Sequence, residues 1–361
     1  MVAVVPLRAA APYFGLELPA AGWPGLRQAG LRAYAAGLPS PREEAWRYFP
    51  IETLKARQEQ PGQWTLDAGS PALPGVGDLA RSEGNPFVAA NTAGFDRAIA
   101  LAGDTRASLR TAGLTLPRLT VGVPAGGRAA VALDLRGGGF ANLVVEADVG
   151  PGARLEFVLD QGLDEGAALV AHLAVRVAEA ARFDGFLLQA GAAMARIEAE
   201  VTLAGRGADA RVSGATLGRG SQHLEIATRF AHAVAGATSR QVFRSVLDDR
   251  AHGVFQGRIE VARGAVGTDA HQLAKTLLLS RRAIADTKPE LEIYADDVKC
   301  SHGATVGEIE AEQMFYLRSR GIPAAAARAM LVAAFLDAAV EEVPGEAARA
   351  QLRARLEGLL A

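Results

Sequence analysis

Apolar and polar positions alternate with period two in short runs along the middle of the chain. Leu155-Glu156-Phe157-Val158, Ala195-Arg196-Ile197-Glu198-Ala199-Glu200-Val201 and Gly257-Arg258-Ile259-Glu260-Val261 are examples. Successive side chains of an extended chain leave opposite faces, so these runs predict half-buried strands. They recur from about residue 114 to 297, with Gly150, Gly166, Gly191, Gly205, Gly214, Gly236 and Gly264 read as turns. No helix-length apolar stretch separates them, which disfavours a parallel α/β fold and leaves a sandwich, a propeller or a solenoid. Repeated strand and turn texture without Greek-key markers favours a β-helix, although no strict repeat is visible.

The flanks follow a different period. Residues 26–54 are helical in pattern, broken at Gly37-Leu38-Pro39, after which Ser40-Pro41-Arg42-Glu43 supplies an N-cap, a proline at N1 and an acidic first turn. A Gly- and Pro-rich linker over residues 58–84 precedes a second helical stretch, 85–109, with Phe87, Phe95 and Ile99 at helical spacing. Beyond Gly307, Met314, Phe315 and Leu317 precede a stop at Gly321, and Pro323 opens a helix with Met330, Leu331, Ala334, Phe335 and Ala338 on one face. A last charged helix follows Val343-Pro344-Gly345. The expected organisation is an N-terminal helical region with linker (1–112), a β core (113–306) and a C-terminal helical domain (307–361).

At 361 residues the chain is long for one compact core, which favours subdomains or an elongated repetitive architecture. The 40 acidic and 38 basic residues nearly cancel, so no broad field draws nucleic acid or anionic lipid. Cys300 is the sole cysteine, which excludes an intrachain disulfide and suits a reducing cytoplasmic setting. Residues 1–15 make a poor signal peptide, being broken by Pro6 and Pro12. The apolar stretch 324–340 is short and contains Arg328 and Asp337, so no membrane span is expected. Gly137-Gly138-Gly139 lacks the ending of a phosphate loop, and the isolated chain is expected to bind no nucleotide.

Cys300 and His302 stand two apart, so on a strand both leave one face while Lys299 and Ser301 leave the other. Thiolate plus imidazole is a soft half-site for iron or zinc. The competing readings are a buried core cysteine and a histidine bonded to a backbone carbonyl. Asp296-Asp297 reads as a solvated turn and Glu290 with Glu292 as an exposed strand face; as paired carboxylates they would suit a β-helix carbohydrate lyase or hydrolase. His172, His223, His232, His252 and His271 show no metal-ligand spacing and read as structural or surface residues.

Several runs occur in order in the last third: Val254-Phe255-Gln256-Gly257-Arg258-Ile259, Gln272 with Leu277-Leu278-Leu279-Ser280, Lys288-Pro289-Glu290-Leu291-Glu292-Ile293, Asp297-Val298-Lys299-Cys300-Ser301-His302-Gly303-Ala304, and Phe315-Tyr316-Leu317-Arg318-Ser319-Arg320-Gly321-Ile322. Together they resemble the SufB/SufD family of the SUF iron-sulfur cluster assembly machinery, and within it the SufD-type chains. Gly37-Leu38-Pro39 with Glu44, Trp46 and Tyr48, and Asn91-Thr92-Ala93, are similar to the family's leading helices.

The resemblance implies a mainly β fold, a right-handed parallel β-helix flanked by N-terminal and C-terminal α-helical domains. It implies a scaffold without catalytic residues that pairs with a SufB-like subunit. A SufC-like ATPase would bind ATP and dock on the C-terminal helices, for which Arg318, Arg320, Met330, Leu331 and Phe335 are the candidate contacts. His302, with Cys300 beside it, would be an interfacial metal ligand to a transient Fe-S cluster. Such a cluster generally takes about four protein ligands and one chain offers one cysteine, so the cluster must be shared. A homodimer in which each copy gives one Cys-His pair satisfies the same count.

Overall fold

The computed structural model describes residues 23–35, 37–57, 59–72 and 76–360; the reading of residues 1–15 lies outside them. Two long sheets face each other, with strands numbered in chain order. One sheet runs β1 (Gln63–Leu66), β4 (Thr105–Ala112), β7 (Arg128–Gly137), β9 (Arg154–Gln161), β11 (Arg182–Gln189), β13 (Asp209–Gly218), β15 (Thr238–Leu247), β17 (Asp269–Leu278) and β19 (Lys299–Glu308). The other runs β2 (Ser70–Pro71), β3 (Ala98–Leu101), β6 (Arg118–Val123), β8 (Phe140–Val149), β10 (Ala168–Val177), β12 (Met194–Leu203), β14 (His223–His232), β16 (His252–Val261) and β18 (Ile284–Ile293), with β5 (Leu114–Thr115) beside β8.

Each sheet collects alternate strands of the core, and apart from the β1–β4 and β2–β3 pairs the ladders are parallel. The chain therefore climbs as a two-sided parallel β-solenoid of about seven turns. Successive register partners Phe140, Ala168, Met194, His223, His252 and Ile284 lie 26 to 32 residues apart. The parallel ladder starts at Ala98 and Thr105, ahead of residue 113.

The inward positions fill the space between the sheets, with Leu155, Phe157 and Leu159 of β9 in one cluster with Leu169, Leu173 and Val175 of β10. Gly214, expected in a turn, lies inside β13, where a Cβ would meet Leu187 O at 2.7 Å and the Phe243 ring at 2.9 Å.

The outer faces are covered as well. Helix α1 (Pro24–Tyr34), α2 (Ile51–Ala56) and α3 (Pro86–Gly94) lie over the second sheet, where Phe140, Ala168, Val170 and Met194 join Trp46, Phe49, Phe87 and Phe95 in one cluster. Gly30 lets α1 approach α3, since a Cβ there would lie 2.7 Å from Ala93 N. The Asn85 side chain caps α3 by accepting from Phe87 N and Val88 N at 3.1 and 3.2 Å. The expected helix over 85–109 ends at Gly94, and Ile99 belongs to β3. A spacing of four, as from Phe95 to Ile99, places residues on one face of a helix and of a strand alike.

Ser40 also behaves differently from expectation. Its N–H donates to Glu43 Oε1 (2.8 Å) and its Oγ accepts from Arg42 N (3.2 Å), but only a 3-10 turn, Glu44–Trp46, follows. Burial of Trp46 and Phe49, with Pro50 restricting the residue before it, delays α2 to Ile51.

Asn91-Thr92 ties this layer to the solenoid. The fully buried Arg118 guanidinium donates to Glu146 Oε1 (2.7 and 3.0 Å), Asn91 Oδ1 (3.2 Å) and Thr92 Oγ1 (2.8 Å). Glu146 also accepts from the backbone of Gly77, Leu79 and Ala80 at 2.9 to 3.2 Å.

At the other end, α4 (Ala311–Ser319), α5 (Ala324–Val340) and α6 (Glu346–Leu360) follow the last strand. Helix α5 covers the first sheet through Val332, Leu336, Ala339 and Val340, packed with Phe186, Leu188, Leu217 and Val246. The stripe read as one face, Met330, Leu331, Ala334, Phe335 and Ala338, is not the buried one: Met330 and Ala334 are exposed and the other three half-buried. This helix is apolar nearly all round, so periodicity does not choose its buried side.

Candidate functional site at the last coil of the solenoid

The sheets end at β18 and β19, each with a neighbour on one side only. With no further coil stacked on them, both strands are largely half-buried or exposed, whereas inner strands such as β10 are buried almost throughout. An uncovered strand edge is a template for a further chain.

Cys300 and His302 lie on β19, and register fixes where they point. Cys300 pairs with Ala270, which pairs with Ser239, both buried inward positions. Its half-buried thiol packs against the central core. Burial, with the Asp269 carboxylate adding to it, raises the thiol pKa above its ordinary value against a backbone hydrogen bond at Ala270, so ligation requires removal of a tightly held proton. His302 is exposed and stands in register with Gln272, which is in turn paired with Gln241. Ser301 leaves the opposite face, where its Oγ lies 2.7 Å from His271 Nδ1, and His271 Nε2 lies 2.7 Å from Asp269 Oδ1. The alternation expected of these residues is what β19 shows.

The motifs of the last third meet in the interior beneath this edge. Thr228 Oγ1 donates to Gln241 Oε1 (2.7 Å) across the two sheets, and Gln272 Nε2 donates to the same oxygen (3.2 Å). Opposite Gln272 stands Gly257, where a Cβ would lie 2.1 Å from Gln272 Nε2. Register continues Thr228 to Gly257 to Pro289 on one sheet, and Gln241 to Gln272 to His302 on the other. Gln241 and Thr228 escape a reading by motif, because single polar residues inside apolar strands signal nothing until a partner is known.

Glu290 and Glu292 do not form a free carboxylate pair. Arg258 reaches Glu290 at 3.3 Å and Glu292 at 3.4 Å, and Lys288 bridges Glu290 (3.1 Å) to Glu44 (2.6 Å). Asp296 and Asp297 lie in the bend between β18 and β19, with Asp297 at φ 52°. Among the described residues no group of three or more His, Cys, Asp or Glu side chains is placed to hold a metal ion. Among those residues no helix is long and apolar enough to cross a membrane.

Two other surfaces carry polar or apolar clusters. A cleft of about 650 Å³ lies between residues 78–85 and the outer face of β10 to β14, lined by Asp78, Arg81, Asn85, His172, Glu198 and Arg229. Burial alone would raise the Glu198 pKa, but hydrogen bonds from His172 and Asn85 and the charges of Arg196 and His172 bring it down to about 2. Several of its charged groups are engaged, Arg176 with Asp148 (2.6 Å) and Arg229 with Glu260 (2.6 Å) and Glu200. On α4 no residue is buried; Phe315 is 75% exposed and Tyr316 58%, and on α5, which α4 contacts, Met330 is 50% exposed. Arg318 and Arg320 are exposed on the same short segment, the latter over the Tyr316 ring at 5.1 Å.

The family model for the SUF system FeS cluster assembly SufBD core domain matches residues 106–335. The iron-sulfur cluster assembly protein SufD of Escherichia coli (strain K12) is 40% identical over 171 residues, 47% of this chain and 40% of that protein. An iron-sulfur cluster assembly SufBD family protein of Synechocystis sp. is 34% identical over 218 residues, 59% of this chain and 47% of the relative. The matches to these two thus span less than half of the relatives' own lengths. A SufBD family protein of Mycobacterium tuberculosis (strain CDC 1551) is 30% identical over 358 residues, covering 89% of both chains. With the family model matched over more than half of the chain and a relative 30% identical over 89% of it, the chain belongs to the SufBD family of SUF-system iron-sulfur cluster assembly proteins, as a SufD-type member.

Proposed function

We propose that this SufD-type scaffold pairs with a SufB-like subunit through the uncovered β18–β19 end, and holds part of a nascent Fe-S cluster there. The observation that carries the reading is that Cys300 and His302 share the inward face of the terminal strand, where a partner's strand would complete the surroundings. One chain brings one thiol and one imidazole, short of the roughly four ligands a cluster takes, so the remaining ligands come from the partner. The cluster is cargo, formed at the interface and passed on. His302 is the ligand offered to it, and Cys300 assists once its proton is displaced.

The exposed aromatic and arginine surface of α4, with Met330, Leu331 and Phe335 of α5, is where a SufC-like ATPase docks. ATP belongs to that partner, and the present chain contributes no catalytic residue of its own. Helix α5 joins this surface to β15 and β13 of the first sheet, two and three coils from the proposed cluster site, so movement of the ATPase is transmitted through packed side chains. The proposed setting is the cytoplasm. Of the carboxylates the carbohydrate-enzyme reading would use, Glu290 and Glu292 are held by Arg258 and Lys288.

The test is His302→Ala within the assembled complex. Loss of cluster formation with the subunits still associated is the expected result; undiminished assembly of iron and sulfide would remove His302 from the site.

A further inference from the structure

The interior column beneath His302 ends in an unsatisfied group. Gln272 is 3% exposed, and its amide is pinned: Nε2 donates to Gln241 Oε1, an oxygen that also accepts from Thr228. Among the described residues Gln272 Oε1 has no hydrogen-bond partner. An amide oxygen buried without a partner loses its hydration with no hydrogen bond in return, so such a group signals a partner or a role. The neighbouring coil offers one polar residue in register with it, His302. Gly257 completes the arrangement, since any larger residue on the facing strand would occupy the volume of the Gln272 amide.

We propose that Gln272 is a positioning residue for His302: its Oε1 accepts the N–H of one imidazole nitrogen and so leaves the lone pair of the other facing the uncovered end. A metal-binding histidine commonly has its second ring nitrogen held in this way, which fixes both tautomer and ring orientation. Thr228 and Gln241 act further back, by holding Nε2 of Gln272 and so turning its oxygen toward the last coil. Gly257 is then a spacer for this relay, which explains why the glycine sits amid large side chains of β16. The consequence for metal binding rests on His302 being a cluster ligand; the tautomer assignment does not.

The experiment is nitrogen NMR of the full chain labelled with 15N-histidine, with the His302 signals assigned by their loss in His302→Gln. The neutral ring of His302 is expected in one dominant tautomer in the parent chain and in Gln272→Glu, which keeps an acceptor oxygen. Gln272→Leu is expected to shift the tautomer ratio by about fivefold toward the other form, the scale of one hydrogen bond. Gly257→Ala, which displaces the amide without removing it, is expected to act in the same direction. Identical tautomer ratios in the parent, Gln272→Leu and Gly257→Ala, with unchanged circular dichroism, would overturn the proposal, as would the reverse response in Gln272→Glu. A tautomer shift alongside unimpaired cluster assembly in His302→Ala would uphold the positioning and refute the ligand role.

Discussion

Cys300 and Asp269 lie on adjacent coils at the end of the solenoid, and the carboxylate raises the thiol's pKa in the direction that burial already does. Alkylation by iodoacetamide, which needs the thiolate, is therefore expected to reach half its limiting rate above the pH typical of free cysteine. Asp269→Asn is expected to lower that midpoint. A midpoint at or below that of free cysteine would contradict this account of the site.

Arg118 and Glu146 fasten the N-terminal layer to the second sheet. Burial lowers the Arg118 pKa while Glu146 raises it, and the guanidinium has no route to water. Glu146→Ala strands that charge, an effect of about 3–5 kcal/mol for a buried pair broken on one side. In urea unfolding the double variant Arg118→Met/Glu146→Ala should lose less than the sum of the single variants. Strict additivity would show that the pair is not coupled.

Acid should destabilise the fold before its carboxylates titrate. Burial, with the charges of His252 and Arg196, holds the His223 pKa down at about 3, and burial lowers that of His232 to about 4 against a backbone hydrogen bond at Ala237. Both native values lie below the ordinary 6.5 of the unfolded chain, so the unfolded state takes up protons first. Their contribution is complete above pH 6.5 and shrinks as pH falls toward 4 and then 3. Urea midpoints are expected to drop over that window, and His232→Gln to flatten the drop. A pH-independent midpoint from 7 to 4 would contradict the burial of these rings as neutral groups.

Phe315→Ser with Met330→Ser tests the docking surface. Both side chains are exposed, so the melting temperature should stay within the small effect of surface changes, about 0.5 kcal/mol. Retention of the ATPase partner on the tagged chain should fall at least tenfold. Unchanged retention would move that interface elsewhere.

The strands around Leu155, Ala195 and Gly257 were legible because one of their faces meets the core and the other meets charges or water. Strands β8 and β10 are buried on both faces, which erases the alternation and leaves only an apolar run. The solenoid repeat stays hidden in the sequence for a related reason: coils of 26 to 32 residues drift in phase while each still closes its ladder. The pairing of Cys300 with His302 on one face followed from spacing alone, but the column of Thr228, Gln241 and Gln272 required two coils to be stacked. On α5, small apolar residues surround the helix, so the sequence does not mark the side that Val332 and Leu336 bury.

The central claim, that this chain is a scaffold whose site is completed by partners, is tested most directly by purifying the tagged protein anaerobically from its own host. Subunits would be identified by mass, and iron and sulfide measured in each fraction. The account predicts recovery with a SufB-like subunit and an ATPase, with iron and sulfide in the assembly and none in the free chain. A metal-free monomer that associates with neither and binds sugars would contradict it.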